Sequence, residues 1–202
     1  MSITTYANLK TAIQNWSKRT DTLDVLDDFI DLAEADMWLK LRIRDMEARA
    51  TATADGRYLG LPDNFIDMRR LVLVSGNNYY QLEQRTPDAM LSYPSAGRPG
   101  EFSVTTQIEF NKVPDSSYTV QMDYWRQLTP LSSSNTSNAI LERFPMIYLY
   151  GALFHFAQWA QDDKMLMKYS DLFDGQMVRA NLMDRRGRHG PSPAMKKKGA
   201  TP

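Results

Sequence analysis

Pro145-Met146-Ile147-Tyr148-Leu149-Tyr150-Gly151-Ala152-Leu153-Phe154-His155-Phe156-Ala157-Gln158-Trp159 is the stretch on which the fold turns. From Phe144 to Gln161 there is no Asp, Glu, Lys or Arg, and positions 146–157 are apolar apart from Gly151 and His155. A membrane-spanning helix needs about 20 mostly apolar residues. This run is shorter and carries His155, Gln158 and Gln161, so it reads as a helix buried in protein, with Pro145 at its first position. A helix apolar on all sides must be covered on all sides. Tyr148, Tyr150, Phe154, Phe156 and Trp159 are therefore expected either to pack within the chain or to meet a neighbouring subunit, as the heterologous contacts of a ring oligomer allow.

Its cover is sought first in other helices. Tyr6, Leu9, Ile13 and Trp16 lie on one helical face. Thr20-Asp21-Thr22 breaks the pattern and offers capping side chains. A second stripe follows in Leu23, Leu26, Ile30, Ala33, Met37 and Leu41. Asp24, Asp27, Asp28 and Asp31 occupy its N-terminal half and Lys40, Arg42 and Arg44 its end, an order that suits the helix dipole. Asp162-Asp163 restarts a fourth helix with Leu166, Tyr169, Phe173, Met177 and Ala180 on one side.

Between these helices the period changes. Ala48 to Ala54 alternates, Asp55-Gly56 is a hairpin signal, and Tyr58 to Leu61 follows. Leu71 to Val74 and Tyr79 to Leu82 read as a second hairpin, and Thr86-Pro87-Asp88 opens a short helix to about Tyr93. Strands are expected over 101–105, 107–111 and 118–126, with Tyr118, Val120, Met122 and Tyr124 on one face. The Ser- and Asn-rich run 131–138 is the return linker. The fold class is α+β: a four-helix bundle (1–47 and 128–185), an inserted small antiparallel β domain (48–127) and an extended basic C-terminal arm (186–202).

The chain has 202 residues, no cysteine, and 24 basic against 24 acidic side chains. Disulfides, thiolate zinc sites and Cys nucleophiles are excluded. No basic segment followed by an apolar run marks the N-terminus as a secretion signal, which fits assembly in the host cytoplasm. The zero balance is uneven: residues 185–202 carry Arg185, Arg186, Arg188, Lys196, Lys197 and Lys198 and no acid, leaving 18 basic and 24 acidic residues before them. Such a tail cannot bury enough apolar surface to order by itself. It suits phosphate neutralisation on nucleic acid or an acidic groove on a protein, and it contains no aromatic for base stacking.

Catalytic signals are sparse. His155 and His189 are the only histidines, too few for a multi-His metal cluster. Gly151, His155, Gln158 and Asp162, spaced four, three and four, read as a packing seam. The acidic pairs Glu34/Asp36 and Asp162/Asp163 have the makings of a glycosidase acid and base, but read better as surface and capping carboxylates. Gly97-Arg98-Pro99-Gly100 opens no helix and is no phosphate cradle. No cofactor or metal is expected.

An ordered series of segments then carries a resemblance. It comprises 5–10, Phe29 to Ala35, Arg44 to Glu47, Gly56 to Phe65, Met68 to Leu71, 97–99, Pro114 to Tyr118, Leu128 to Ser132 and Phe144 to Leu153. Together they resemble the head-to-tail, portal-binding adaptor proteins of short-tailed bacteriophages, of the tail tubular protein A type; the tail beyond Arg185 lies outside this resemblance. The resemblance implies a structural virion protein at the head–tail junction and no enzyme. It implies copies of the chain in a ring of twelve, bound to the portal protein on one side and to a tail tube or nozzle protein on the other, with genomic DNA passing through. It also implies that Arg185 to Pro202 is a portal-docking arm. The other classes left open are a nucleic-acid-binding protein using the basic tail and a cell-wall (peptidoglycan) hydrolase.

Overall fold

The computed structural model describes residues 2–19, 21–90 and 95–189. The chain divides into two compact units, residues 1–45 with those from 129 onward, and residues 46–128.

The first unit is helical: α1 (Tyr6–Ser17), α2 (Leu26–Lys40), α3 (Ala139–Arg143), α4 (Pro145–Trp159) and α5 (Asp163–His189). The Thr5 hydroxyl caps α1 by accepting from the Asn8 N–H at 3.3 Å. Tyr6, Leu9, Ala12 and Ile13 form the buried face, whereas Trp16, the last member of the expected stripe, is mostly outside it. Replacing Thr5 by Ala is expected to cost about 1 kcal/mol of stability, read from the urea midpoint at unchanged slope. A 3-10 turn at Leu23–Val25 leads into α2, which buries Leu26, Phe29, Ile30, Ala33 and Met37.

Two expectations for these helices are corrected. A fifth helix, α3, lies where the return linker was expected to run straight into α4. Asn138 caps it by accepting from the Leu141 N–H at 3.0 Å, and Phe144 breaks it with a non-helical backbone (φ −136°, ψ 55°). That break follows from Pro145, which disfavours helical geometry in the residue before it. The end of α5 also shifts: the 27-residue helix runs to His189, so Arg185, Arg186 and Arg188 sit on it and not on an extended arm. Lys196, Lys197 and Lys198 lie outside the described residues.

Among its described residues the second unit holds eight strands: β1 (Glu47–Ala54), β2 (Tyr58–Gly60), β3 (Phe65–Ser75), β4 (Asn78–Gln81), β5 (Glu83–Gln84), β6 (Glu101–Val104), β7 (Gln107–Phe110) and β8 (Tyr118–Arg126). They form two sheets, ordered β1-β8-β3-β4 and β2-β7-β6-β5. The β3–β4 hairpin turns on Gly76, whose φ of 58° suits glycine. The Asp55-Gly56 turn, read as a hairpin, instead carries the chain from one sheet to the other, because β1 pairs with β8 and β2 with β7. Among these named strands the pairings are antiparallel except β5 with β6. The helix expected from Pro87 is a single 3-10 turn at Pro87–Ala89; its far end near Tyr93 is outside the described residues. One buried cluster draws on both sheets, with Leu71, Leu73, Val120, Met122 and Tyr124 from one and Phe102, Ile108 and Phe110 from the other. Among the described residues no helix is long and apolar enough to cross a membrane.

Candidate assembly interface

Helix α4 is covered largely by its own chain. Ile147, Tyr148, Leu149, Ala152, Leu153, Phe156 and Ala157 are buried. Tyr150 and Phe154 are half-buried, and only Met146 and Trp159, the latter 47% accessible, are exposed large side chains on this helix. Phe29 of α2 meets the rings of Phe156 at 6.1 Å and Trp159 at 6.0 Å. Trp16 of α1 and Tyr169 of α5 flank Tyr150 at 6.0 and 6.2 Å. Of the two ways of covering this helix that its composition allows, packing within the chain accounts for most of its girth, with Met146 and Trp159 left exposed. Helices α1, α2 and α5 pack on it as expected, and the short α3 adds cover that the sequence did not suggest.

Gly151 explains how three helices fit so closely. A Cβ placed there would lie 2.8 Å from the Ala33 Cβ of α2 and 2.9 Å from the Phe173 ring of α5. One turn on, His155 Nε2 pairs with Asp36 Oδ2 of α2 at 3.0 Å, in a depression also lined by Gln158, Ser170 and Asp174. The stripe of Gly151, His155 and Gln158 is thus a seam between helices.

The acidic pairs separate. Glu34 is 2% accessible and its Oε1 accepts from the Tyr148 hydroxyl at 2.7 Å and the Leu131 N–H at 2.9 Å. The same hydroxyl accepts from Asn138 Nδ2 at 2.6 Å, so one buried chain of hydrogen bonds ties the return segment to α2 and α4. Burial raises the Glu34 pKa to about 6, against the lowering effect of its two hydrogen bonds. Asp36 faces His155 and not Glu34. Asp162 caps α5, accepting from the Lys164 and Met165 N–H groups at 3.1 and 3.0 Å. Neither pair faces the other across a cleft. A second depression, about 550 Å³, lies on the outer face of β1, β8 and β3. Its Arg49 and Arg70 both hold Asp123, which they keep below the usual carboxylate range although partial burial works the other way. Among the described residues no three His, Asp or Glu side chains converge as a metal site requires.

Two exposed stripes that mix apolar and charged residues lie on the outer faces of α2 and α5. On α2 these are Asp28, Asp31, Leu32, Ala35 and Leu39, spaced as one stripe, with Leu39 74% accessible. Partial burial first, then repulsion from Asp27 and Asp28, raises the Asp31 pKa. On α5 the stripe is Gly175, Val178, Leu182, Arg185 and Arg186, flanked by Arg179 and Met183, all exposed. Sequence reading singled out the arginines but not the apolar residues among them. Leu32, Val178 and Leu182 look like ordinary core positions until the opposite helical face is seen to be the buried one.

No curated protein matches the sequence. The family model described as SU10 adaptor protein matches residues 4–195. That span reaches ten residues beyond Arg185, past the end of the resemblance seen in the sequence, and it takes in both compact units. With nearly the whole chain matched, the protein belongs to the SU10 adaptor protein family, a family of phage adaptors with a structural role.

Proposed function

We propose that the protein is a head-to-tail adaptor that assembles as a ring of twelve copies, joins the portal to the tail tube or nozzle, and leaves an axial passage for genomic DNA. The observation that carries this reading is the family match over residues 4–195, which covers the helical and the β unit alike. The self-covered helical unit supports a subunit that folds before it assembles, as a four-helix bundle with α3 as an accessory turn. An adaptor needs recognition surfaces and no reactive centre, and the acid pairs and His155 are engaged in capping, packing and burial. The net acidic residues before the tail would disfavour DNA binding along the passage.

Because Arg185, Arg186 and Arg188 belong to α5, the portal-docking segment of this proposal shortens to residues 190–202 with Lys196, Lys197 and Lys198. Twelve copies would recover by multivalency what each loses on ordering its segment. Electron microscopy of the purified protein mixed with portal rings tests the assembly: a ring stacked on a ring is expected. A chain cut after His189 should keep its melting temperature and lose portal attachment. If the cut chain still attaches, and instead loses a salt-sensitive affinity for DNA, the tail is a nucleic-acid arm. A clear band in a peptidoglycan zymogram would overturn the structural role.

A further inference from the structure

Two unpartnered helix faces of opposite charge lie on different elements of the helical unit. The α2 face runs from Asp28 and Asp31 to Leu32 and Leu39; the α5 face runs from Gly175 and Val178 through Leu182 to Arg185 and Arg186. We propose that the α2 face of one copy packs antiparallel against the α5 face of the next, so that this contact builds the ring. The inference rests on the ring reading above and names the surfaces that make it.

Three observations converge. The first is sign: Asp28 and Asp31 precede Leu32 and Leu39 on α2, and arginines 179, 185 and 186 surround and follow the apolar residues of α5. Only an antiparallel alignment places acid on base and apolar on apolar together. The second is register. Leu39, Leu32 and Asp28 are separated by seven and four residues, and Gly175, Leu182 and Arg186 by the same seven and four. At 1.5 Å per residue both sets span about 16 Å, so Leu39 meets Gly175, Leu32 meets Leu182 and Asp28 meets Arg186 in one alignment.

The third is Gly175 itself. It sits in the middle of a 27-residue helix, exposed, with nothing within 4 Å of where its Cβ would be. Glycine there costs about 1 kcal/mol relative to alanine. Gly151 has a packing reason inside its own chain; Gly175 has none there. A second helix seating Leu39 over it supplies the reason. Since the two faces differ, the contact is head-to-tail, and such contacts propagate and close into rings where the rotation allows.

The chain has no cysteine, which makes the test clean. The full-length double variant Leu32→Cys/Leu182→Cys is assembled with portal rings, treated with a short bis-maleimide, and run on a denaturing gel. A ladder extending beyond the dimer is expected, with no ladder from either single variant. Rings visible by microscopy without a ladder overturn this contact and leave the adaptor reading standing; no rings and no ladder overturn both. A ladder from open chains supports the contact and overturns the closed ring. In parallel, Gly175→Leu should melt no lower than wild type, since its side chain meets open space, yet raise the concentration needed for self-association at least about tenfold. Unchanged association by that folded variant overturns the contact. Arg185→Glu/Arg186→Glu should weaken association similarly, and a copy carrying Asp28→Lys/Asp31→Lys should restore it in mixed rings.

Discussion

Replacing Gly151 by leucine is expected to prevent the helical unit from folding. A β-carbon at this position lies 2.8 Å from Ala33 and 2.9–3.0 Å from the Phe173 ring, closer than carbon atoms pack. Both neighbours belong to helix backbones that are themselves held, α2 by Leu26, Phe29, Ile30 and Met37, and α5 by Tyr169, Met177 and Ala180. The Ala33 Cβ can make room for a methyl only if α2 moves away from α4, and the Phe173 ring must turn aside as well. Alanine therefore sets two terms against each other. Helix propensity favours it by about 1 kcal/mol, and overpacking opposes it by roughly 1–3 kcal/mol. Gly151→Ala should melt a few degrees lower, and Gly151→Leu, with three further carbons, should lose the cooperative transition of the helical unit. Circular dichroism at 222 nm and the urea midpoint report both. The companion substitution Phe173→Leu, which removes the nearest ring atoms, should recover part of the loss in Gly151→Ala. If leucine is tolerated at 151 with an unchanged midpoint, the close approach of α2, α4 and α5 is wrong.

That seam was partly readable before any coordinates. Gly151, His155 and Gln158 recur at helical spacing along an otherwise apolar helix, and small or polar residues at such spacing mark where other helices come close; Asp162, which continues the spacing, instead caps α5. The strands from 101 to 126 were equally plain, because their alternation matches a half-buried sheet. Pairing was less legible. Asp55-Gly56 has the chemistry of a tight hairpin, but turn chemistry states how sharply a chain reverses, not which sheet receives the next strand. The parallel pairing of β5 and β6 involves two residues of each, too short to leave a periodic signal. Composition was least specific over α4. Apolar girth on every side says that a helix must be covered, and it does not say by whom. The short α3, which directly follows the Ser- and Asn-rich run, supplies part of the cover. The α5 stripe was missed for a related reason: a helix with apolar residues on two faces shows only an average in its sequence.

Stability is expected to fall as pH rises from 4.5 to 6, and the Glu34 carboxyl is the group responsible for this component. Burial holds its pKa at about 6 in the folded protein, above the ordinary 4.5. The folded state therefore binds this proton more tightly than the unfolded chain does. The protonated form carries its full stability below pH 4.5, loses it progressively between 4.5 and 6, and loses no more above that. A displacement of this size corresponds to about 2 kcal/mol. Glu34→Gln keeps an oxygen able to accept from Tyr148 and Leu131 and removes the buried charge. It should be more stable than wild type by roughly 1–2 kcal/mol at pH 7.5, with the difference vanishing near pH 4, so that the comparison isolates Glu34 from every other titrating group. Glu34→Ala should behave oppositely. It strands the Leu131 N–H and deprives the Tyr148 hydroxyl of its acceptor in a dry site, at a cost of roughly 2–4 kcal/mol near pH 4 that shrinks by about 2 kcal/mol at pH 7.5, where wild type has itself lost that much. Urea titrations of the three proteins at pH 4, 5, 6 and 7.5 decide the matter. A flat difference between wild type and Glu34→Gln across that range would mean that the carboxylate is solvated. The hydrogen-bond chain through Tyr148 and Asn138 would then not be what fastens the return segment to the helices.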